Sequence, residues 1–433
     1  MSADAPSCCA KSTAAIAERN KMKLYEYPLL YFSAGGHKIE RADIDAAFLL
    51  ERFAGSVKGE GDRHGFKIDF NAGIRLSVPP GEWRVVIKDG DADYVAFDGM
   101  VSAQTLVSIE KYFVAWQAEV FKGGEKVFEH KFNPAGREVY FNCFVNALGE
   151  KVMFLPYIKS FGEKYNCRPV FVSANKVFDP ILRHYYPNIR TQSVDDGLRD
   201  DAYAAYDMGA FHSVRAWAPW SARQIPYDLI CESLIGISGV SRYQFAPFIE
   251  RPIEEPYVCI AAQASHLGKC WLYPGGWDTV VAYLKNLGYR VFCIDQYREV
   301  TEGDYVVRMP EAAEDMTGDH SLMERIAILG YADFFIGLPS GLSWLADACG
   351  IKTIIISGFT MPYSEFPAQG RVINRLVCHG CYNDPEADWK RQGCPRHSGT
   401  DREYECTRKI TPAQVIRAID HVRSSDNPKP MIF

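Results

Sequence analysis

Four cysteines, Cys378, Cys381, Cys394 and Cys406, punctuate a polar stretch that reads CHGCYNDPEADWKRQGCPRHSGTDREYEC. Cys378 and Cys381 form a CxxC, Cys394 follows after twelve intervening residues and Cys406 after eleven more. Four thiolates at this spacing can close a tetrahedral metal site. The loop also holds Asp384-Pro385, Gly393, Pro395, Gly399 and many charges. Such a segment buries too little apolar surface to offset its chain entropy, and a metal supplies the missing cross-link. Four sulfurs leave no open position for a substrate, so the expected role of the metal is structural. Thiolates suit iron and zinc alike. His379 and His397 are read as bystanders.

A second set of residues could act on a phosphorylated substrate. Gly337-Leu338-Pro339-Ser340-Gly341 joins an apolar strand to a helix. The free N–H groups and positive end of that helix can hold a diphosphate, with glycine admitting close approach and Ser340 adding a hydroxyl donor. Lys269 follows an earlier strand and could neutralise charge on a leaving phosphate. Asp295 and Gln296 end the next strand, where an acid can accept from a ribose or simply cap the strand. Glu150 opens a helix further upstream, a place that suits a carboxylate electrostatically and could present a general base.

The elements that must position these groups fall into three stretches. Residues 1–23 read as a disordered tail. From 24 to 135 the pattern is mostly β, with strands expected at Gly73–Pro79, Trp83–Asp89, Tyr94–Gly99, Lys111–Phe121 and Lys126–Phe132. Short strands between frequent turns suggest a small antiparallel sandwich or barrel. At Glu138 the texture changes to EVYFNCFV, a continuous apolar run expected of a strand buried on both faces. A helix ending near Asn166 and a strand at Arg168–Asn175 follow, so a parallel sheet begins within residues 136–250. Pro247, Pro252 and Pro256 mark a linker. Residues 251–433 repeat the strand–helix alternation, with Ser321–Leu329 and Leu342–Cys349 as helices and a last helix opening at Thr411 with a capping box to Gln414. The fold class is α/β, with two facing Rossmann-like domains after an N-terminal all-β domain.

Composition narrows the function. The chain has 433 residues and a net charge of −6, which offers no broad basic surface to nucleic acid. No apolar run is long enough to span a membrane. The segment MSADAPSCCAKSTAAIAERNK lacks a continuous apolar core and does not read as a signal peptide, so the cytoplasm is the expected compartment. Thirteen cysteines there are expected as thiols and metal ligands; Cys143, Cys231, Cys259, Cys293 and Cys349 read as small core residues.

NALGEKVMFLPYI, the Lys269 loop followed by PGGWDTVVAYLKNLGYRVFCID, and IGLPSGLSWLADACG together resemble the bacterial autotransporter heptosyltransferases. The four-cysteine loop after the last strand is the most specific match. The resemblance covers roughly Tyr140 to the C-terminus, and a preceding β domain also fits. It implies a GT-B fold and ADP-glycero-manno-heptose as donor. It further implies transfer to serine or threonine hydroxyls of an autotransporter adhesin before export, and a homo-dodecamer. By position, Lys269 would contact the donor diphosphate, Ser340 and Gly341 would line the phosphate loop, and the cysteines would hold one iron per chain. Glu150 departs from the family pattern, which has aspartate after Leu-Gly; glutamate keeps the carboxylate and adds a methylene. Rival readings are a related transferase with another sugar nucleotide or a lipopolysaccharide-core acceptor, and a non-catalytic assembly scaffold.

Overall fold

The computed structural model describes residues 25–33, 38–143, 147–208, 222–389 and 393–433. The tail expected over 1–23, and Phe144 and Val145 at the end of the expected strand from Glu138, lie outside the described residues.

The N-terminal region is β-rich as expected, but not all-β. Strand β1 (Leu29–Phe32) is followed by helix α1 (Arg41–Ala54). Ala47, Leu50 and Ala54 recur at helical spacing and are buried. Then come β2 (Glu60–Gly61), β3 (Lys67–Asn71), β4 (Ile74–Val78), β5 (Trp83–Asp89), β6 (Tyr94–Val101), β7 (Gln104–Ser108), β8 (Trp116–Lys122) and β9 (Glu125–Lys131). The strand expected from Lys111 starts only at Trp116. Lys111 itself is fully buried and donates to Glu51 at 2.8 Å.

These strands divide between two sheets. β6, β5, β8 and β9 make a four-stranded antiparallel sheet. The others join β10 (Glu138–Asn142), β11 (Arg168–Ser173), β12 (Arg190–Ser193) and β13 (Ala204–Asp207) in a nine-stranded sheet, ordered β1-β7-β4-β3-β13-β10-β11-β12 with β2 beside β3. β3 runs parallel to β13, with Phe70 opposite Ala204. Strands β1–β4 and β7 therefore extend the sheet of β10–β13, while β5, β6, β8 and β9 form a sheet of their own whose Trp83, Val85 and Trp116 share one core with Phe32, Phe66 and Ile68. Helices α2 (Leu148–Tyr165), α3 (Asp179–Tyr185) and α4 (Tyr227–Ile235) belong to this half. Asn166 ends α2 and Gly236 ends α4, both in the left-handed conformation.

The second half holds β14 (Tyr257–Ile260), α5 (Gly276–Asn286), β15 (Arg290–Cys293), β16 (Glu299–Glu302), β17 (Tyr305–Arg308), β18 (Glu314–Asp315), α6 (Leu322–Leu329), β19 (Phe334–Gly337), α7 (Gly341–Ala348), β20 (Thr353–Ile356), β21 (Gly370–Val372), α8 (Glu405–Arg408), α9 (Pro412–Arg423) and β22 (Met431–Ile432). Its seven-stranded sheet is ordered β18-β15-β14-β19-β20-β21-β22, and every neighbouring pair is parallel. β14, β19 and β20 read YVCI, FFIG and TIII and are buried throughout, because helices cover both faces of a parallel sheet. α6 and α9 open on the reciprocal boxes Ser321/Glu324 and Thr411/Gln414. The five cysteines assigned to the core are buried.

Candidate functional site

Helices α2 and α7 open beside each other, and glycine sets how closely. A Cβ on Gly149 would stand 2.5 Å from the Trp344 ring, and one on Gly341 would stand 2.5 Å from Leu148 Cβ. Two helix N-termini thus meet between the two sheets, and their positive ends call for an anion. Glu150 occupies the first turn of α2. Ser340 precedes α7 and makes no side-chain cap; its hydroxyl is buried and has no partner among the described residues. Gly337 and Gly341 act here mainly as packing positions: a Cβ on Gly337 would meet the Phe335 ring at 2.4 Å.

Lys269 ends a short turn in which His266 Nδ1 accepts from Gly268 N at 3.0 Å. The His266 ring stacks on Phe359 at 4.9 Å. Burial lowers the Lys269 amine below its ordinary range, and the carboxylates of Glu365 and then Glu150 oppose the shift. The lysine of the second half and the glutamate of the first therefore share one electrostatic pocket. Glu365 escaped the sequence reading. It follows β20 by a long loop and pairs with Arg371 at 2.6 Å, both side chains buried; no local pattern marks that pairing.

Asp295 is placed differently from a ribose ligand. Its carboxylate is buried and accepts from Ala262 N at 2.7 Å and Gln263 N at 3.2 Å. It ties the ends of β14 and β15 together, the strand-cap alternative. Burial pushes it up to about 6, against those two amides and Arg325. Gln296 is exposed at the sheet edge, and its carbonyl accepts from Gly318 N at 3.0 Å.

The cysteine loop brings its four thiols near enough to act on one another's ionisation. Burial pushes the Cys381 thiol up to about 12; Cys378 and Cys394 add to this and Arg396 opposes it. Burial, Cys381, Cys394 and Cys378 all push Cys406 up. Close thiols that resist ionisation together fit a cation, which favours the thiolates. The Cys378 sulfur, a His397 nitrogen and a Glu405 oxygen also lie within 4.8 Å of one another, so His397 stands nearer the centre than a bystander would. Glu405 accepts from Cys378 N at 2.9 Å and pairs with Arg402 at 2.6 Å. His379 Nδ1 instead lies 2.8 Å from the Val377 carbonyl.

Residues 63–124 match the family "Glycosyltransferase TibC, N-terminal domain", and residues 235–388 match glycosyltransferase family 9 (heptosyltransferase). Autotransporter heptosyltransferase BAHTCr of Citrobacter rodentium is 36% identical over 82% of this chain and 89% of its own. Autotransporter heptosyltransferase TibC of Escherichia coli O78:H11 gives the same figures. The inactive autotransporter heptosyltransferase BimC of Burkholderia thailandensis is 34% identical over 82% of this chain and 85% of its own. The crystal structure of TibC, an iron-containing dodecameric glycosyltransferase, superposes with a TM-score of 0.77 at 34% identity, covering 85% of this chain and 98% of that one. TibC in complex with ADP-D-β-D-heptose superposes with the same TM-score. The chain belongs to the autotransporter heptosyltransferase family.

Proposed function

We propose that this chain transfers heptose from ADP-glycero-manno-heptose to serine or threonine hydroxyls of an autotransporter adhesin. The observation that carries the reading is one pocket between the nine-stranded mixed sheet and the seven-stranded parallel sheet. It holds the desolvated Lys269 amine, the Glu150 carboxylate and the start of α7, where the Ser340 hydroxyl is unpartnered among the described residues. That set suits a nucleotide diphosphate leaving group opposite a general base. Glu150 takes the proton of the acceptor hydroxyl and the hydroxyl oxygen bonds to the anomeric carbon. The bond from that carbon to the diphosphate oxygen breaks, and ADP leaves toward Lys269 and the Ser340–Gly341 turn. Gln296, exposed at the end of β15, and the Gly337 strand end are the remaining donor-side positions.

The arrangement is read as GT-B: a β domain over 24–135, an acceptor-side domain over 136–250 and a donor-binding domain over 251–433. Cys378, Cys381, Cys394 and Cys406 hold one structural iron, a reading supported by their mutual electrostatic coupling and by the iron-containing relative TibC. The chain acts in the cytoplasm as a homo-dodecamer, the assembly being supported by the dodecameric TibC. No described helix is long and apolar enough to cross a membrane. The test is donor competition followed by intact-mass measurement of the acceptor, with elemental analysis of the purified protein. An added heptose with iron supports the reading; an added hexose, or zinc, overturns the corresponding part.

A second reading is an inactive assembly scaffold. It is favoured by the inactive relative BimC and by the extra methylene at Glu150, since a misplacement of about 1 Å can cost on the order of 100-fold in rate. A Glu150→Asp variant that still transfers nothing would favour the scaffold.

A further inference from the structure

The hydrogen bonds of Tyr382 and Asn383 reach both walls of the pocket. Asn383 is buried, and its amide is fully used. Its Oδ1 accepts from Met361 N at 2.8 Å; its Nδ2 donates to Ser364 Oγ at 2.7 Å and to the Arg223 carbonyl at 2.5 Å. Met361 and Ser364 lie in the loop after β20 that also carries Glu365, the carboxylate acting most strongly on Lys269. The same loop is held by Gly380 N donating to Gly358 O at 2.7 Å and Tyr382 N donating to Phe359 O at 3.1 Å. Phe359 in turn stacks on His266 of the Lys269 turn. So the residues around Cys381 are bonded to the donor wall.

The other side of the same short segment is bonded to the first half of the chain. The Arg223 guanidinium donates to the carbonyls of Tyr382 at 3.1 Å, Pro385 at 3.1 Å and Ala387 at 3.4 Å. The hydroxyls of Tyr227 and Tyr382 share a hydrogen bond. Tyr227 begins α4, which packs on α2, the helix that carries Glu150. The Glu150 carboxylate acts on both tyrosine hydroxyls. A loop that only needed ordering would require neither a phenol nor a three-bonded amide shared between two halves.

We infer that Tyr382 and Asn383 are positioning residues, which hold the Glu150 wall of the pocket in register with the Lys269 wall. The inference rests on the heptosyl-transfer reading for its kinetic arm only. The reaction needs donor carbon, acceptor oxygen and base within contact distance, and errors of about 1 Å cost on the order of 100-fold. Cutting the link between the walls should slow the chemical step and leave donor binding alone.

Tyr382→Phe removes the shared hydroxyl bond. Asn383→Asp keeps the acceptor for Met361 N and removes the donor to Arg223. Each should lower kcat by about 10- to 100-fold while the ADP dissociation constant, read by calorimetry, stays within about threefold. Metal content and oligomer size should not change, and amides of Tyr227–Ile235 should exchange hydrogen faster. Tyr227→Phe should reproduce Tyr382→Phe, and the double variant should add little, because one bond is lost in each case. Unchanged kcat with unchanged exchange overturns the inference. Weaker ADP binding with kcat retained makes Tyr382 a donor contact, and lost metal makes the pair part of the metal site; either also overturns it. Should the wild type transfer no heptose, the proposed function fails, and the exchange arm alone decides: faster exchange in Asn383→Asp supports the link, unchanged exchange refutes it.

Discussion

Lys111 and Lys269 are both withdrawn from water beside carboxylates, yet their surroundings differ. Lys111 is fully buried and donates to Glu51 at 2.8 Å and to the Asn71 carbonyl at 3.3 Å. Glu51 also pairs with Arg75 at 2.8 Å, and Arg75 pairs with Asp69 at 2.6 Å. Burial alone would raise Glu51, but Lys111 and Arg75 outweigh it and hold the carboxyl low. Every charge in that network has its partner, which is what a structural buried cluster requires. Lys269 forms no ion pair among the described residues and is lowered by burial. At the start of α7, packed against the helix that carries Glu150, the Ser340 hydroxyl has no partner among the described residues. A cation kept short of a partner is poised for an anion that arrives from outside. The difference separates charge that holds the fold from charge that, under the proposed transfer, meets the donor diphosphate.

Substitution can break this comparison. Lys111→Met leaves the Glu51–Arg75–Asp69 network short of a cation and should cost about 3–5 kcal/mol, read from the denaturation midpoint. An unchanged midpoint would mean that Lys111 is no more structural than Lys269. Lys269→Met removes a desolvated amine, so its midpoint should hold or rise. Its kcat/KM should fall by about 100- to 1,000-fold, in the range for losing one preorganised charge contact. Retained activity would remove Lys269 from the site. Gly341→Ala puts a methyl where Leu148 stands and should cost about 1–3 kcal/mol as overpacking, with a loss of activity because α2 carries Glu150. A silent substitution would show that the two helices slide freely.

The smallest effect is expected at Asp295. Its folded value of about 6 lies above the usual value of about 3.9 for an unfolded aspartate. Its contribution to stability is therefore fully present below about pH 4 and is lost as pH rises through about 6. Asp347, also pushed up to about 6 by burial, works in the same direction. Asp295→Asn should flatten, without abolishing, the fall in stability over that window. An identical slope in the variant would mean that the carboxylate is ionised throughout.

Local chemistry was legible in the sequence and long-range pairing was not. The starts of α6 and α9 were visible in Ser321/Glu324 and Thr411/Gln414, since a capping box is written in four consecutive residues. The buried strands YVCI, FFIG and TIII were visible as apolar runs. The four cysteines announced a cluster by spacing, and in the structure their thiols act on one another, while the tightest ligand group joins Cys378 to His397 and Glu405, which spacing did not show. Helix α1 was passed over inside a stretch read as β, although Ala47, Leu50 and Ala54 carry its period. The hairpin β16–β17 has exposed residues along nearly its whole length and so offers no alternation to read. The pairing of Phe70 with Ala204 joins residues far apart in the chain. In the pocket, Glu150, Lys269 and Ser340 were each found from their places at element ends. Glu365 and Tyr382 were missed because both sit in loops, and only the folded chain brings them to the lysine and the glutamate.

The most direct measurement is the intact mass of an autotransporter passenger fragment incubated with ADP-heptose and the purified, metal-loaded protein, in parallel with Glu150→Gln. Wild type should add the mass of one anhydroheptose per modified site, and Glu150→Gln, unable to accept the proton, should be slower by about 100-fold or more at the same donor affinity. Equal heptosylation by both proteins would contradict the assignment of Glu150 as the base, and no heptose from either would contradict the transferase itself.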